Sequence, residues 1–218
     1  MPTTITLPNG ASFTLITMPD SPGVADYTLE RKSQVAYVQS PFVMGSNQTF
    51  VWPGSQGWAL QFNLPKMDRF HAAPWEGFIS GLYGIANVFV FPIPTPRNTP
   101  QGVLDGAPVC ATTSSTNQTS ATSLSVSGMS PLVFGQVSAG DYFNVGARLY
   151  VCTEQVNSDA NGDMVIPIFP SLRESPANGA PLVFINPGVL MRLATNDIAL
   201  HTDYSGLSTL SVTAIEVR

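Results

Sequence analysis

The sequence predicts a mainly β protein: a β-barrel or sandwich with one packed α-helix, plus an inserted small β-barrel domain. Three observations lead there. Eighteen glycines and nineteen prolines punctuate short runs of Val, Ile, Phe, Leu and Thr, the composition of a turn-rich all-β chain. Period-two alternation recurs in these runs, most plainly at 58–63 and 208–217. Only residues 66–84 show a convincing helical period.

Residues 1–34 are turn-rich, with Pro8-Asn9-Gly10 and Pro19-Asp20-Ser21-Pro22-Gly23. Between these turns Phe13, Leu15 and Thr17 alternate as one edge strand, in an N-terminal hairpin or in an arm reaching a neighbouring subunit. Three strands are expected at Val35–Gln39, Gln48–Trp52 and Trp58–Asn63. In the last, Trp58, Leu60 and Phe62 face one way, and Ala59, Gln61 and Asn63 form a polar outer face. Trp75, Phe78, Ile79, Leu82 and Tyr83 fall at helical spacing and form one apolar stripe. The spacing predicts a helix from about 68 to 83, capped by Asp68, bent near Pro74 and ended by Gly84. Val88–Phe91 reads as a strand buried on both faces, and Pro92-Ile93-Pro94-Thr95-Pro96 as a hinge after it.

Residues 97–177 form the expected insert. It holds a polar loop or hairpin at 112–125, the run Leu132-Val133-Phe134, and strands at Tyr142–Val145, Arg148–Glu154 and Asp163–Phe169. The larger β domain is then 1–96 together with 178–218. Its closing strands are Leu182–Ile185, Val189–Leu193 and Ser208–Val217, with Leu210, Val212, Ala214 and Glu216 on one face of the last. No internal repeat is visible.

The charge content narrows the function classes. Only 11% of residues are charged, against about 25% for soluble domains. A protein dispersed alone in water needs a charged surface, so this composition favours a subunit covered by neighbouring protein. The net charge is −5 and Lys and Arg are not clustered, which argues against nucleic-acid contact. The single basic pair, Arg31-Lys32, reads as a solvated loop. The N-terminus has neither the basic nor the apolar region of a signal peptide, and no apolar run approaches a membrane span. Cys110 and Cys152 lack zinc-ligand spacing. They read as reduced, strand-borne cysteines, which suits assembly in a cytoplasm.

No catalytic constellation is legible. There is no G-x-S-x-G elbow and no catalytic-cysteine signature. His71 and His201 have no predicted nucleophile beside them. Most carboxylates, including Asp20, Asp141, Asp159 and Asp163, sit in turns, where Asp is expected for backbone reasons. Asn157-x-Asp159-x-Asn161-Gly162 imitates the start of a calcium loop, but its twelfth position is Ile168 rather than an acid, so a hairpin turn is the better reading. The triplets at Asn47 and Asn117 match the glycosylation pattern only formally. Trp52 is the best candidate for an exposed aromatic, and Trp75 belongs to the core. No catalytic, cofactor or metal residue is expected, and no interface residue is singled out.

Two stretches carry a resemblance. The first is Leu64-Pro65-Lys66-Met67-Asp68-Arg69, then Trp75-Glu76-Gly77-Phe78, Leu82-Tyr83-Gly84 and the strand through Phe89. The second is Ala139-Gly140-Asp141, Leu149-Tyr150-Val151, Asp159-Ala160-x-Gly162 and Ile168-x-Pro170-x-Leu172-Arg173, closing with Pro176-Ala177-Asn178-Gly179 and Met191-Arg192-Leu193. In this order they resemble the distal tail or baseplate proteins of long-tailed bacteriophages. Pro74 and Gly77 depart from the alanine-rich helix expected of that family. The resemblance implies a tail-tube-like β-barrel with one packed helix. It also implies a homo-oligomeric, commonly sixfold ring at the virion tail tip, joining the tail tube protein to hub or baseplate proteins, with no enzymatic activity and no cofactor. The alternative is a carbohydrate-binding β-module for host surface glycans, with the 112–125 loop as its rim. A third reading, a cell-wall hydrolase, would need His71 or His201.

Overall fold

The computed structural model describes residues 3–7, 10–40, 42–43, 45–52, 54–94 and 100–217. The fold is mainly β, with one helix and a nearly closed six-stranded barrel. The chain divides into two compact units, Met1–Glu30 with Trp58–Ile93 and Gly188–Arg218, and Arg31–Gly57 with Pro94–Pro187. The insert expected at 97–177 lies within the second. Residues 95–96 of the expected hinge, and Pro8 and Asn9 of the first expected turn, lie outside the described residues.

In the first unit, β1 (Thr3–Thr6) and β2 (Ser12–Leu15) form an N-terminal hairpin. The main sheet contains β3 (Asp26–Lys32), β6 (Gly57–Asn63), β7 (Phe89–Pro92), β14 (Gly188–Leu193) and β16 (Ser208–Glu216). Its order is β3-β6-β16-β14-β7, and the short β15 (Leu200–Thr202) pairs with the start of β16. Alternation in β16 is complete: Leu210, Val212, Ala214 and Glu216 are buried, while Ser211, Thr213 and Ile215 are exposed. Glu216 is tolerated on the buried face because its carboxylate accepts a hydrogen bond from the Trp58 N–H at 3.0 Å.

Helix α1 (Arg69–Leu82) begins where the Asp68 carboxylate accepts the His71 N–H at 3.0 Å. This is an N-cap bond to one of the four donors that a helix start leaves unpaired. That backbone donor, and then the His71 ring, holds the Asp68 carboxyl below the usual carboxylate range. Helix α1 runs unbroken through Pro74. The carbonyl that Pro74 leaves without a donor belongs to Phe70, an exposed residue of the first turn. Ala72, Trp75, Phe78 and Leu82 form the buried stripe. Phe62 joins it to the sheet, with ring centroids 6.2 Å from Trp75 and 5.5 Å from Phe91. Phe78 meets Phe89 edge-on at 5.4 Å.

Four expectations for this unit need correction. Tyr83 is not in the stripe: it is the left-handed C-cap (φ 48°) and is exposed, so Tyr83 rather than Gly84 ends the helix. The 88–91 strand is not buried on both faces. Phe89 and Phe91 point inward, whereas on the opposite face Val88 is buried and Val90 is exposed, so that face is covered only at its start. Arg31 and Lys32 end β3 instead of lying in a loop. Ala59, expected on the polar face of β6, is buried.

Beyond β15 the chain turns at Asp203, whose carboxylate accepts from Ser205 Oγ at 2.5 Å and Leu207 N at 3.0 Å and faces Lys66 Nζ at 3.4 Å. The Ser205 bond first, then Leu207, pulls this carboxyl down from 3.8 to about 2. A depressed folded pKa stabilises the fold above the unfolded value and ceases to do so as pH falls through the folded one. In urea titrations the midpoint difference between the native protein and Asp203→Asn is therefore expected to be constant above about pH 5 and to shrink between pH 4 and 2. A difference that persists unchanged at pH 2 contradicts the assignment.

In the second unit the barrel is built from β8 (Gly106–Cys110), β9 (Ser123–Met129), β10 (Tyr142–Val145), β11 (Arg148–Cys152), β12 (Met164–Phe169) and β13 (Leu182–Val183). The order is β13-β10-β11-β12-β9-β8. A bridge between Val109 and Pro181, with Cys110 N–H donating to Ala180 O at 2.8 Å, brings the first and last strands together. Leu124, Val126, Phe143, Tyr150, Ile166 and Phe184 fill the interior, as side chains do in barrels this small. Phe143 and Phe184 stack at 4.9 Å. Cys110 and Cys152 are buried free thiols in the same core, and burial pushes each up to about 11. Leu132 and Phe134 are exposed residues of a turn, not a strand. Strand β8, with its Gly and Pro, was not legible.

Two turns of this unit hold its loops in place. The buried Asp141 carboxylate accepts the N–H groups of Gln101 (2.6 Å), Gly102 (3.1 Å) and Ser138 (2.9 Å). Asp159 closes the calcium-like loop from within: its Oδ1 accepts the N–H groups of Asn161 (2.8 Å) and Asp163 (2.9 Å). The loop is thus the turn between β11 and β12.

The second unit also holds a hairpin of β4 (Val35–Gln39) and β5 (Asn47–Val51), paired in register from Val35–Val51 to Gln39–Asn47. Its base is tied to the barrel: the Gln56 side chain accepts the Ser171 N–H at 2.9 Å, and Arg173 donates to the Gln56 carbonyl at 2.8 Å.

Candidate functional site

The β4–β5 hairpin is the feature of the surface that demands a partner. Every residue of both strands is exposed. Among the described residues the two strands pair only with each other, so both edges are open as well. Alternation places Val35, Tyr37, Thr49 and Val51 on one face, and Ala36, Val38, Gln48 and Phe50 on the other. Trp52 meets Phe50 edge-on at 4.7 Å. At the tip Ser40 Oγ accepts the N–H groups of Phe42 (3.3 Å) and Val43 (3.2 Å). This holds a loop whose Phe42 is 93% exposed.

No charged residue occurs between Lys32 and Lys66. Edge strands left open in water usually carry charge, proline or a covering element. This hairpin has none of the three along its strands, and a lone two-stranded hairpin is marginally stable. Elsewhere the few charges are further depleted, because Asp141, Arg148 and Glu216 are buried. Contiguous exposed apolar surface of this kind marks an interaction site.

The residues considered for catalysis do not converge. His71 is exposed, with Nδ1 2.7 Å from Asp68 Oδ1, and its role is in the first turn of α1. His201 is exposed on β15 opposite Thr209. Neither is hydrogen-bonded to a serine, threonine or cysteine side chain among the described residues. No group of three or more His, Cys, Asp or Glu able to hold a metal ion occurs among them either. No helix of the described residues is long and apolar enough to cross a membrane.

The barrel carries a shallow groove of about 490 Å³ whose surface is mostly apolar. Thr113, Thr116, Ser125, Asn157, Asp159 and Asp163 provide its polar lining, and no aromatic residue lines it. The first unit has a smaller groove beside α1, lined by Trp75 and by the start of β16.

Trp52 was the one site residue legible as exposed, from the Pro and Gly beside it. Tyr37, Val38, Phe42 and Phe50 were not, since an apolar run reads equally as a buried strand. The missing charge between Lys32 and Lys66 was the available signal. No protein-family model matches the chain, and no curated protein matches it.

Proposed function

We propose that this chain is a structural subunit that assembles with copies of itself into a ring at the tip of a long phage tail, between the tail tube and the hub or baseplate. The observation that carries the reading is the uncharged hairpin, exposed on both faces and both edges. A ring closes through heterologous contacts, in which each subunit offers one surface to the next and a different surface to the one before. An arm free of charge and open to pairing is suited to such a contact, because interface centres are depleted in charged residues. The low overall charge and the likeness of segments 64–89 and 139–193 to distal tail proteins support the same reading. The place in a virion rests on that likeness alone.

Light scattering and negative-stain microscopy of the purified protein test it. The native protein is expected to form closed rings at micromolar concentration, and Val38→Glu with Phe50→Glu is expected to leave a folded monomer. A native protein that stays monomeric at high concentration overturns the proposal. A second reading, a glycan-binding module, is favoured only by the hydroxyl, amide and carboxylate side chains that line part of the barrel's groove. Binding on a glycan array that is lost on Asp163→Ala, in a protein that forms no rings, would replace the first reading with it.

A further inference from the structure

We infer that copies of this chain join head to tail through the barrel unit: an apolar, acidic loop at one end of the barrel docks on the base of the β4–β5 hairpin of the next copy. The inference rests on the ring reading and supplies the second surface that a heterologous contact requires.

The loop presents Leu132, Phe134 and Val103, which are 77%, 76% and 64% exposed. Leu132 follows Pro131 in a turn and has a φ of 57°. Gly or Asn adopts this conformation readily, whereas it strains the backbone of a leucine. In the isolated chain Leu132 therefore carries backbone strain and gains no burial. Strain kept at an exposed position points to a function there. The loop is also held firmly. Leu132 N–H donates to the Asp159 carbonyl at 2.9 Å, Val133 N–H to Ser158 Oγ at 3.0 Å and Gly135 N–H to Asn157 Oδ1 at 2.8 Å. Val103 N–H donates to the Gly135 carbonyl at 2.9 Å. Beneath them the buried Gln136 side chain accepts the Asp105 N–H at 2.8 Å and donates to the carbonyls of Asp105 (3.0 Å) and Ser130 (3.3 Å). Large apolar side chains on a pre-organised loop lose little freedom when a partner covers them.

This loop and the hairpin base lie at opposite ends of β12. Leu132 is bonded to Asp159, in the turn that leads into β12, and Gln56 of the hairpin base is bonded to Ser171 and Arg173, just past its end. The six residues of β12, at about 3.4 Å each, set the two surfaces about 20 Å apart. One copy can thus engage a neighbour on each side.

The two ends also differ in charge. At the loop end stand the exposed Asp105, Asp159 and Asp163, and the Asp105 carboxylate has no partner among the described residues. No Lys, Arg or His occurs at 98–147 or 149–172. All the Lys and Arg residues described in the second unit belong to the other end. Arg31 donates to the Tyr142 hydroxyl at 3.4 Å, Lys32 follows it, Arg148 begins β11 beside Glu174, and Arg173 holds Gln56. The loop therefore calls for an apolar surface with a positive edge. The hairpin base supplies both: Phe50 and Trp52 are exposed, and Arg31-Lys32, the single basic pair of the chain, comes just before β4. Aromatic side chains are favoured anchors at the centre of such contacts.

The experiment uses two variants of the full chain. Leu132→Glu with Phe134→Glu removes the apolar loop, and Val38→Glu with Phe50→Glu removes the hairpin surface. Both are first shown to retain the native circular dichroism and unfolding midpoint, and Leu132→Asn, which relieves the backbone, replaces the loop variant if that one misfolds. Light scattering is expected to find each variant monomeric at concentrations where the native protein forms rings. Mixed together, they are expected to give a one-to-one dimer that grows no further, since the mixture holds one intact loop and one intact hairpin per pair. Asp105→Lys, which sets like charge against Arg31-Lys32, is expected to weaken assembly at least threefold. Three results would overturn the inference and leave the ring reading standing: a loop variant that still forms rings, two monomeric variants that do not combine, or an Asp105→Lys protein that assembles as tightly as the native one. A native protein that stays monomeric overturns the ring reading and this inference with it.

Discussion

Replacing Phe62 by alanine is expected to cost the helix-bearing unit about 3–5 kcal/mol, the range for removing a buried aromatic ring. Phe62 is fully buried and is the ring that touches both Trp75 of α1 and Phe91 of the sheet. Its loss opens a cavity that neighbours held on separate elements cannot close, and it removes two ring contacts together with the buried area. Trp58 and Trp75 are both buried in this unit. Their emission therefore follows its unfolding, and the urea midpoint of the fluorescence transition should fall well below that of the native protein. Phe62→Leu, which keeps much of the volume, should fall less. An Ala variant with a native midpoint would mean that the aromatic cluster does not hold helix to sheet.

The second large effect is expected at Gly162, in the turn between β11 and β12. Its φ is +80°, and a Cβ there would run into the carbonyl oxygen of Met129. The left-handed conformation costs a non-glycine residue about 1–2 kcal/mol, and forced overpacking about 1–3 kcal/mol more. The obstructing atom is backbone, so it cannot swing aside as a side chain would. Gly162→Ala should therefore destabilise the barrel by about 2–5 kcal/mol. Gly140 has a similar φ, +92°, with open space around it, so Gly140→Ala should show the conformational part alone. The buried thiols of Cys110 and Cys152 report this unit directly. Their labelling in urea is expected to begin at a clearly lower concentration in Gly162→Ala than in Gly140→Ala. Equal midpoints for the two variants would refute the clash.

These sites differ in how far they could be read in advance. Phe62 and Trp75 were placed in the core by period alone, two in the strand and near 3.6 in the helix, since one buried face imposes that period on the residues. The Asp159–Gly162 turn was legible because Asp and Gly serve turns for local backbone reasons. Val88–Phe91 was misread because a short apolar run is compatible with one covered face or two. Tyr83 was misread because helical spacing extends to the very residue at which the backbone turns left-handed. The hairpin combined both difficulties: its strands at 35–39 and near 48–52 were legible, but not that each of their residues is exposed.

The amino-acid sequence alone determined the β class, the single helix with its Asp68 cap, most of the strands, the inward face of β16 and the scarcity of charge. All of these follow from neighbours along the chain or from composition. Tertiary structure alone decided which apolar surfaces remain uncovered. Among the described residues it left β4 and β5 exposed on both faces, and it closed the barrel through Val109 and Pro181. Each of these depends on whether a distant segment arrives to cover a group, and exposure of that kind is a property of the folded chain that no local pattern encodes.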